Sequence, residues 1–299
     1  MSKKGILKRV GLSLGIVVLS LVFVYATKRD VITTTTKVDS KITAINFAGE
    51  ATPLYDSEVA ERLDREIVTN RNYHSSTTLI IKRANRVFPV IEPILKEYGV
   101  PDDFKYLAVA ESALVNAVSR AGARGVWQFM PQTAKEKGLI VNSFVDERYH
   151  LVKSTQAACK YLLEAKEKFG TWTLAAASYN AGLAGVQKQL DRQEVENYYD
   201  LLLNEETSRY VFRILALKEI IENPSKYNFN FPEEELYALI PTKKIKVDAS
   251  ISNLVDFAKQ HAINYKILKT HNPWLRDKEL KVYAGQEFYI EIPTEGYNK

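Results

Sequence analysis

Between about residue 85 and residue 225 the chain shows almost no apolar–polar alternation of period two; its apolar residues recur at spacings of three and four. That spacing describes helices packed by one face and leaves little room for a sheet. Val87, Val90, Ile91, Ile94, Leu95 and Tyr98 make one stripe, closed by Gly99, and Pro93 within it is expected to kink the helix. Pro101-Asp102-Asp103 opens the next helix, with proline and acids where a first turn favours them. Further helices are expected at 132–137, 152–169 before Gly170, 174–180 before Gly182, 185–190, and 206–222 before Asn223-Pro224. With 299 residues and 46% hydrophobic content, a sizeable core is expected in a mainly α fold.

One residue in this pattern is out of place. Phe104, Leu107, Ala108 and Glu111 fall at i, i+3, i+4 and i+7, and Leu114 and Val115 extend the same stripe. Burying an unpaired charge costs several kcal/mol or more, so a carboxylate on that face must be protonated, paired, or aimed into a cleft. The first and third conditions together describe a general acid. The chain then runs Ser119-Arg120-Ala121-Gly122-Ala123-Arg124-Gly125, whose small residues permit a tight loop and close approach of backbone to a ligand. Trp127, Gln128, Phe129 and Met130 follow, offering a stacking surface and an amide, before Pro131 opens another helix. Acid, small-residue loop, aromatic and amide form a layout suited to a sugar chain.

These residues carry a family resemblance. Glu111-Ser112 looks like the catalytic Glu-Ser pair of the lytic transglycosylases with the goose-type-lysozyme-like fold, glycoside hydrolase family 23. Gly125-Val126-Trp127-Gln128 is similar to their Gly-Leu-Met-Gln motif, in the Trp-containing form of a membrane-bound branch of the family. Ser178-Tyr179-Asn180-Ala181-Gly182 resembles Ala-Tyr-Asn-Ala-Gly, and Glu206-Thr207-Ser208-Arg209-Tyr210-Val211 resembles Glu-Thr-x-x-Tyr-Val. The departures are Val126-Trp127 for Leu-Met and Ser178 for Ala. The four motifs stand in order and the resemblance covers roughly 85–225, implying a lysozyme-like, all-helical catalytic domain.

Glycosidases usually place two carboxylates about the scissile bond. Here only Glu111 qualifies: Asp102 and Asp103 lie about two and a half helical turns earlier, well over ~10 Å away, and no acid precedes Trp127 in the loop. A missing partner points to a nucleophile supplied by the substrate. The resemblance implies that Glu111 protonates the oxygen of the MurNAc–GlcNAc bond and then, as base, takes the proton of the MurNAc 6-hydroxyl, closing a 1,6-anhydro ring. It also implies that Tyr210 orients Glu111, that Ser119 and Gln128 hold the sugar with Met130 lining the cleft, and that Tyr179 and Asn180 close the site. Enclosure by Phe104, Leu107 and Trp127 is expected to raise the Glu111 pKa. Two rivals remain: a lysozyme-type hydrolase using water, and a non-catalytic wall-binding scaffold.

The remaining chain sets the context. Residues 10–26 carry no charge and as helix span roughly 25 Å, a little short of a bilayer core. Lys3, Lys4, Lys8 and Arg9 precede them, so the expectation for residues 1–29 is a membrane anchor with an inner-membrane location and the remainder periplasmic. The alternative is a signal peptide cleaved at Val24-Tyr25-Ala26, leaving a periplasmic protein of the cell envelope. Residues 30–84 read as a stalk with one amphipathic helix at 58–68 that packs on the catalytic domain. Residues 226–242, with Pro232 and Pro241 among acids, read as a linker. Residues 243–299 read as strand–helix–helix–strand and resemble a LysM module, with Asn272-Pro273 and Gly285-Gln286-Glu287-Phe288 through Ile292-Pro293 matching its features. Its usual Gly-Asp-Thr-Leu appears as Ala249-Ser250-Ile251-Ser252, which leaves glycan binding and a packing role both open.

Composition excludes other classes. Net charge is +5 from 41 basic and 36 acidic residues, with no basic run interleaved with aromatics, so nucleic acid is not an expected partner; peptidoglycan glycan strands are. The single cysteine, Cys159, forbids an intrachain disulfide and reads as a small core residue. The four histidines are scattered and no zinc-ligand spacing occurs, so no metal or cofactor is expected.

Overall fold

The architecture follows from one helix that is buried along most of its length. In the computed structural model, which describes residues 42–295, Glu205–Glu222 (α8) buries Tyr210, Val211, Phe212, Ile214, Leu215, Ala216, Leu217 and Ile220. A helix with so broad an apolar surface must be packed on several sides. It is enclosed by α1 (Ser57–Asn72), by α3 (Phe104–Ser112) and by α6 (Trp172–Ala181). Asn204 caps α8 by accepting from Thr207 N at 3.0 Å.

The remaining helices form the wall around that centre: α2 (His74–Glu97), α4 (Pro131–Glu136), α5 (Leu151–Phe169) and α7 (Leu183–Gln193). α2 runs as one helix through both Pro89 and Pro93. Both prolines sit on the exposed side, so the carbonyls they leave without an N–H partner face water. Gly99, at φ 69°, ends the helix, and Val100 N reaches back to Leu95 O at 2.9 Å. α5 and α6 meet through small residues: Ala157, Ala158 and Cys159 on one, Ala175, Ala176 and Ala177 on the other, all at most 1% exposed. Cys159 is the core residue the sequence suggests, and burial pushes its thiol up to about 12.

The amphipathic helix expected at 58–68 is α1, four residues longer at its C-terminal end, and buries Val59, Leu63 and Ile67. Ahead of it, β1 (Asn46–Phe47) and β2 (Glu50–Ala51) make a tight hairpin turned by Ala48 and Gly49 at φ 55° and 81°. Period-two alternation cannot announce strands of two residues. The hairpin is part of the packed body: the Phe47 ring meets Phe104 edge-on at 5.0 Å, and Glu50 accepts from Trp172 N, Thr173 N and Thr173 Oγ1 at 2.6, 2.8 and 2.7 Å. Those bonds cap the start of α6 and hold the Glu50 carboxyl below its usual range against the opposing effect of burial.

The segment read as a linker contains two 3-10 turns, Pro224–Tyr227 and Glu233–Glu235, and then lies along α2. Tyr237 N donates to Lys82 O at 3.1 Å and Arg86 Nε to Ala238 O at 2.9 Å. Beyond it, β3 (Thr242–Val247) pairs antiparallel with β4 (Phe288–Pro293), with Ile245 opposite Ile290, and α9 (Leu254–Gln260) and α10 (Tyr265–His271) lie between them in the chain. This is the expected βααβ order. Buried Asn272 ties helix to strand by donating to Glu291 O and accepting from Glu291 N, both at 2.7 Å. The core of this part includes Trp274, Leu280, Phe288, Ile290 and Ile292, and it continues into Val145 and Tyr149 of the helical body.

The apolar run at 10–26 and its expected membrane role lie outside the described residues. Among the described residues no helix is long and apolar enough to cross a membrane.

Candidate active site

Glu111 occupies the last turn of α3, and the helix stops one residue later. Ala113 and Leu114 both take left-handed conformations, at φ 51° and 61°, so the stripe does not extend to Val115, which is 38% exposed. Two consecutive non-glycine residues in that region cost roughly 1–2 kcal/mol each and persist only where surroundings hold them. Arg83 holds the turn through Ala113 O at 3.2 Å, and buried Ser112 donates from Oγ to Val126 O at 2.8 Å. The Glu-Ser pair thus couples the acid to the following loop through its second member, a role the sequence does not announce.

The Glu111 carboxyl is half-buried and accepts a short hydrogen bond from the Tyr210 hydroxyl. Burial raises its pKa from 4.5 to about 7 and outweighs Tyr210 and the Arg213 charge, which pull it down; Glu206 pushes it further up. A carboxyl poised near neutrality can both give and take a proton. The Phe104 ring lies instead against Phe47 and Trp172, at 5.0 and 5.3 Å. Of the two earlier acids, Asp102 pairs with Lys105 and Asp103 with Lys218 and Ala48 N, so both are engaged elsewhere. Glu206 is paired with Arg213 at 3.4 Å and its side chain is 63% exposed.

Tyr179 lies beside the acid. Burial and the nearby Glu111 carboxyl raise the pKa of its hydroxyl well above the usual tyrosine range, and that hydroxyl donates to Trp127 O at 2.8 Å. Tyr179 also acts electrostatically on Tyr210, and Glu111 on both, so the three form one cluster. Asn180 lies on the next position of α6, where its Oδ1 accepts from Thr207 Oγ1 at 2.9 Å. It lines a cleft of about 390 Å³ with Gly185, Gln189, Asn204, Glu206 and Thr207.

The loop between α3 and α4 departs from expectation. Trp127 is 0% exposed and donates its indole N–H to Thr155 Oγ1 at 2.8 Å, and Phe129 is buried too. The stacking surface expected there is core; the loop's open apolar side chains include Met130, 42% exposed, and Val118, 59% exposed. Gln128, at φ 49°, turns its amide N–H onto Gly125 O and Ala117 O at 2.7 and 3.1 Å. Ser119 Oγ accepts from Ala123 N at 3.0 Å. Gly125 permits a close approach, though to protein: an added Cβ would stand 1.8 Å from Arg148 O.

What holds this loop is a pair absent from the sequence reading. Arg148 is 3% exposed and binds Asp146 through Nε and Nη2, at 2.9 and 2.7 Å, while Nη1 donates to Gly122 O and Phe129 O at 3.0 and 3.1 Å. A guanidinium fork is suited to tying a carboxylate and two carbonyls at once. Arg148→Leu should lower unfolding stability by about 3 kcal/mol, because buried Asp146 loses its two-bond partner and keeps Arg124 at the longer distance of 3.6 Å; urea denaturation measures it. Asp146 and Arg148 stand two residues apart in a loop without periodicity, so composition was the sole available signal.

Tyr210→Phe removes the hydrogen bond that lowers the Glu111 pKa. The alkaline limb of kcat/KM is therefore expected to move to higher pH, with kcat down on the order of tenfold from lost orientation; a pH–rate series from pH 5 to 9 checks both.

The fold and this cluster define a helical domain with one half-buried carboxyl held between tyrosines, and comparison with known proteins says which domains it resembles. Residues 89–202 match the transglycosylase SLT domain, and residues 243–296 match the soluble lytic transglycosylase C-terminal LysM-like domain. Both matched descriptions are of lytic transglycosylase domains. It is 28% identical over 235 residues to membrane-bound lytic murein transglycosylase D of Escherichia coli strain K12, and equally to that of strain O6:H1. The match covers 77% of this chain, which spans about half the length (50%) of these curated relatives. A solved structure of an inactive mutant of lytic transglycosylase Slt from Pseudomonas aeruginosa is 22% identical, with a TM-score of 0.36 over 50% of this chain and 26% of that one. Glu111, Ser119, Gln128, Met130, Tyr179 and Asn180 fall inside the matched SLT segment; Tyr210 lies beyond it.

Proposed function

We propose that the protein is a peptidoglycan lytic transglycosylase that cleaves the β-1,4 bond between MurNAc and GlcNAc and leaves 1,6-anhydro-MurNAc ends. The observation that carries this is a single carboxyl raised to about 7 and held by Tyr210. Protonated Glu111 donates to the glycosidic oxygen as the C1–O bond breaks. The resulting carboxylate takes the proton of the 6-hydroxyl, whose oxygen closes on C1, so no water is consumed and the enzyme returns to its starting state. Tyr210 orients the carboxyl through both steps. Gln128 has spent its N–H groups on the loop, so its Oε1 accepts from a sugar hydroxyl, next to the Ser119 hydroxyl and exposed Met130. Asn180 lines the cleft beside Glu206, and Tyr179, its neighbour on α6, backs the acid.

Mass spectrometry of muropeptides released from purified sacculi tests the reading. Anhydro ends from wild type and none from Glu111→Gln are expected; reducing ends would convert the assignment to hydrolysis. The hydrolytic reading has one observation in its favour, the electrostatic influence of Glu206 on Glu111, but that acid is exposed and paired with Arg213. A wall-binding scaffold predicts binding to sacculi with no released product. The uncharged run at 10–26 and the basic residues before it support a cell-envelope location, anchored in the inner membrane with residues 85–225 acting as the catalytic unit in the periplasm.

A further inference from the structure

The C-terminal βααβ part is joined through a short continuous set of contacts to the segment 144–150, which in turn holds the 119–130 loop. Asp146 N donates to Trp274 O at 2.9 Å, Arg276 N donates to Phe144 O at 2.8 Å, and Val145 bridges to Leu275. The Trp274 ring lies between His150 at 5.9 Å and Phe288 at 5.5 Å, near-parallel to both. The Arg276 guanidinium covers the Tyr149 ring at 4.3 Å. Residues 274–276 therefore grip 144–146 and 149–150, and Asp146 and Arg148 lie within that grip. Arg148 in turn holds Gly122 O and Phe129 O, and its own carbonyl seats Gly125. From Val126 the path closes on Ser112, next to Glu111.

We propose that Trp274 and Arg276 are positioning residues for the reaction: through Asp146 and Arg148 the C-terminal part sets the geometry of the 119–130 loop, and hence of Gln128 and of the Val126 carbonyl that Ser112, next to Glu111, donates to. This rests on the proposed transglycosylase reading and adds to it a duty for a module whose matched description is LysM-like. A freely tethered glycan-binding module would share neither a hydrophobic core nor a backbone ladder with the catalytic body; this one shares both. The arrangement has the parts needed for coupling, namely packed rings, a buried ion pair and a loop with little regular structure of its own.

The test uses the full-length protein as wild type, Trp274→Ala, Trp274→Phe and Arg276→Ala. The first readout, made without substrate, is hydrogen exchange of the loop amides of Ala123, Arg124, Gly125 and Gln128, each of which is hydrogen-bonded within the loop. Exchange should quicken by about tenfold in Trp274→Ala and by a few-fold in Arg276→Ala, stay near wild type in Trp274→Phe, and leave α8 equally protected in all. The second readout is turnover on sacculi: kcat falls on the order of 10- to 100-fold in Trp274→Ala with KM within about twofold, and Phe restores it. Unchanged loop exchange in a Trp274→Ala protein with α8 still protected overturns the proposal, as does a rise in KM at constant kcat, which is the signature of lost glycan capture. If Trp274→Ala also exposes α8, Arg276→Ala decides by the same readouts, since Arg276 is exposed. Wild type that releases no muropeptides sinks the reaction itself, and the exchange arm still decides the coupling.

Discussion

Glu111→Gln should lower kcat on peptidoglycan by on the order of 10²- to 10⁴-fold, since glutamine neither donates an acidic proton nor accepts one back. The same substitution should raise stability at alkaline pH. The Glu111 pKa is raised from 4.5 in an open chain to about 7 in the fold. Stability tied to the protonated form is fully present below pH 4.5 and is lost as pH rises through about 7. The span corresponds to roughly 3 kcal/mol. Glutamine keeps an oxygen for the Tyr210 hydroxyl and carries no charge to desolvate. Melting of the variant should therefore exceed wild type at pH 8 and match it at pH 4.5. Equal melting at both values, with activity lost, would mean the carboxyl is not desolvated in solution and that its poise near neutrality has another origin.

Gly125→Ala is the second substitution with a large expected effect. The position has φ 85°, and a methyl group there would stand 1.8 Å from Arg148 O and 2.7 Å from Arg148 C. The obstacle is backbone, which cannot rotate away as a side chain could. Either the loop or the segment 146–149 must move, and moving the second disturbs the Asp146–Arg148 pair. Overpacking costs about 1–3 kcal/mol and left-handed alanine about another 1 kcal/mol, so a loss near 3 kcal/mol or more is expected by denaturant unfolding. Activity should fall with it, because Gln128 donates to Gly125 O and shares the displaced loop. Gly122→Ala makes the matched control: its φ is 91° but nothing lies within 4 Å of an added Cβ, so it bears the conformational cost alone. Equal losses for the two would show that the clash is relieved at little cost.

Helix spacing in the sequence located most helical elements to within a few residues. α5 and α8 end where Gly170 and Asn223-Pro224 say they should, because caps and breakers act on their own neighbours. Glu111 was legible for the same reason: one charge on an apolar face is a local contradiction that a 3.6-residue period exposes. Tyr210 was reached only through a family motif, and its hydrogen bond to Glu111 joins positions 99 residues apart. The loop at 119–130 was misjudged in orientation. Trp127 was expected to offer a stacking surface, whereas it is core, and Gln128 spends its N–H groups on its own loop and leaves only its oxygen for a ligand.

The sequence by itself therefore determined the helical class, the position of the acid and the βααβ order at the C-terminal end, since each depends on interactions within a few residues along the chain. Only the tertiary structure decided the carboxyl's pKa, the grip of Arg148 on the loop and the shared core with the C-terminal part. Desolvation and buried ion pairing depend on which distant segments come to surround a group, and no local period encodes that.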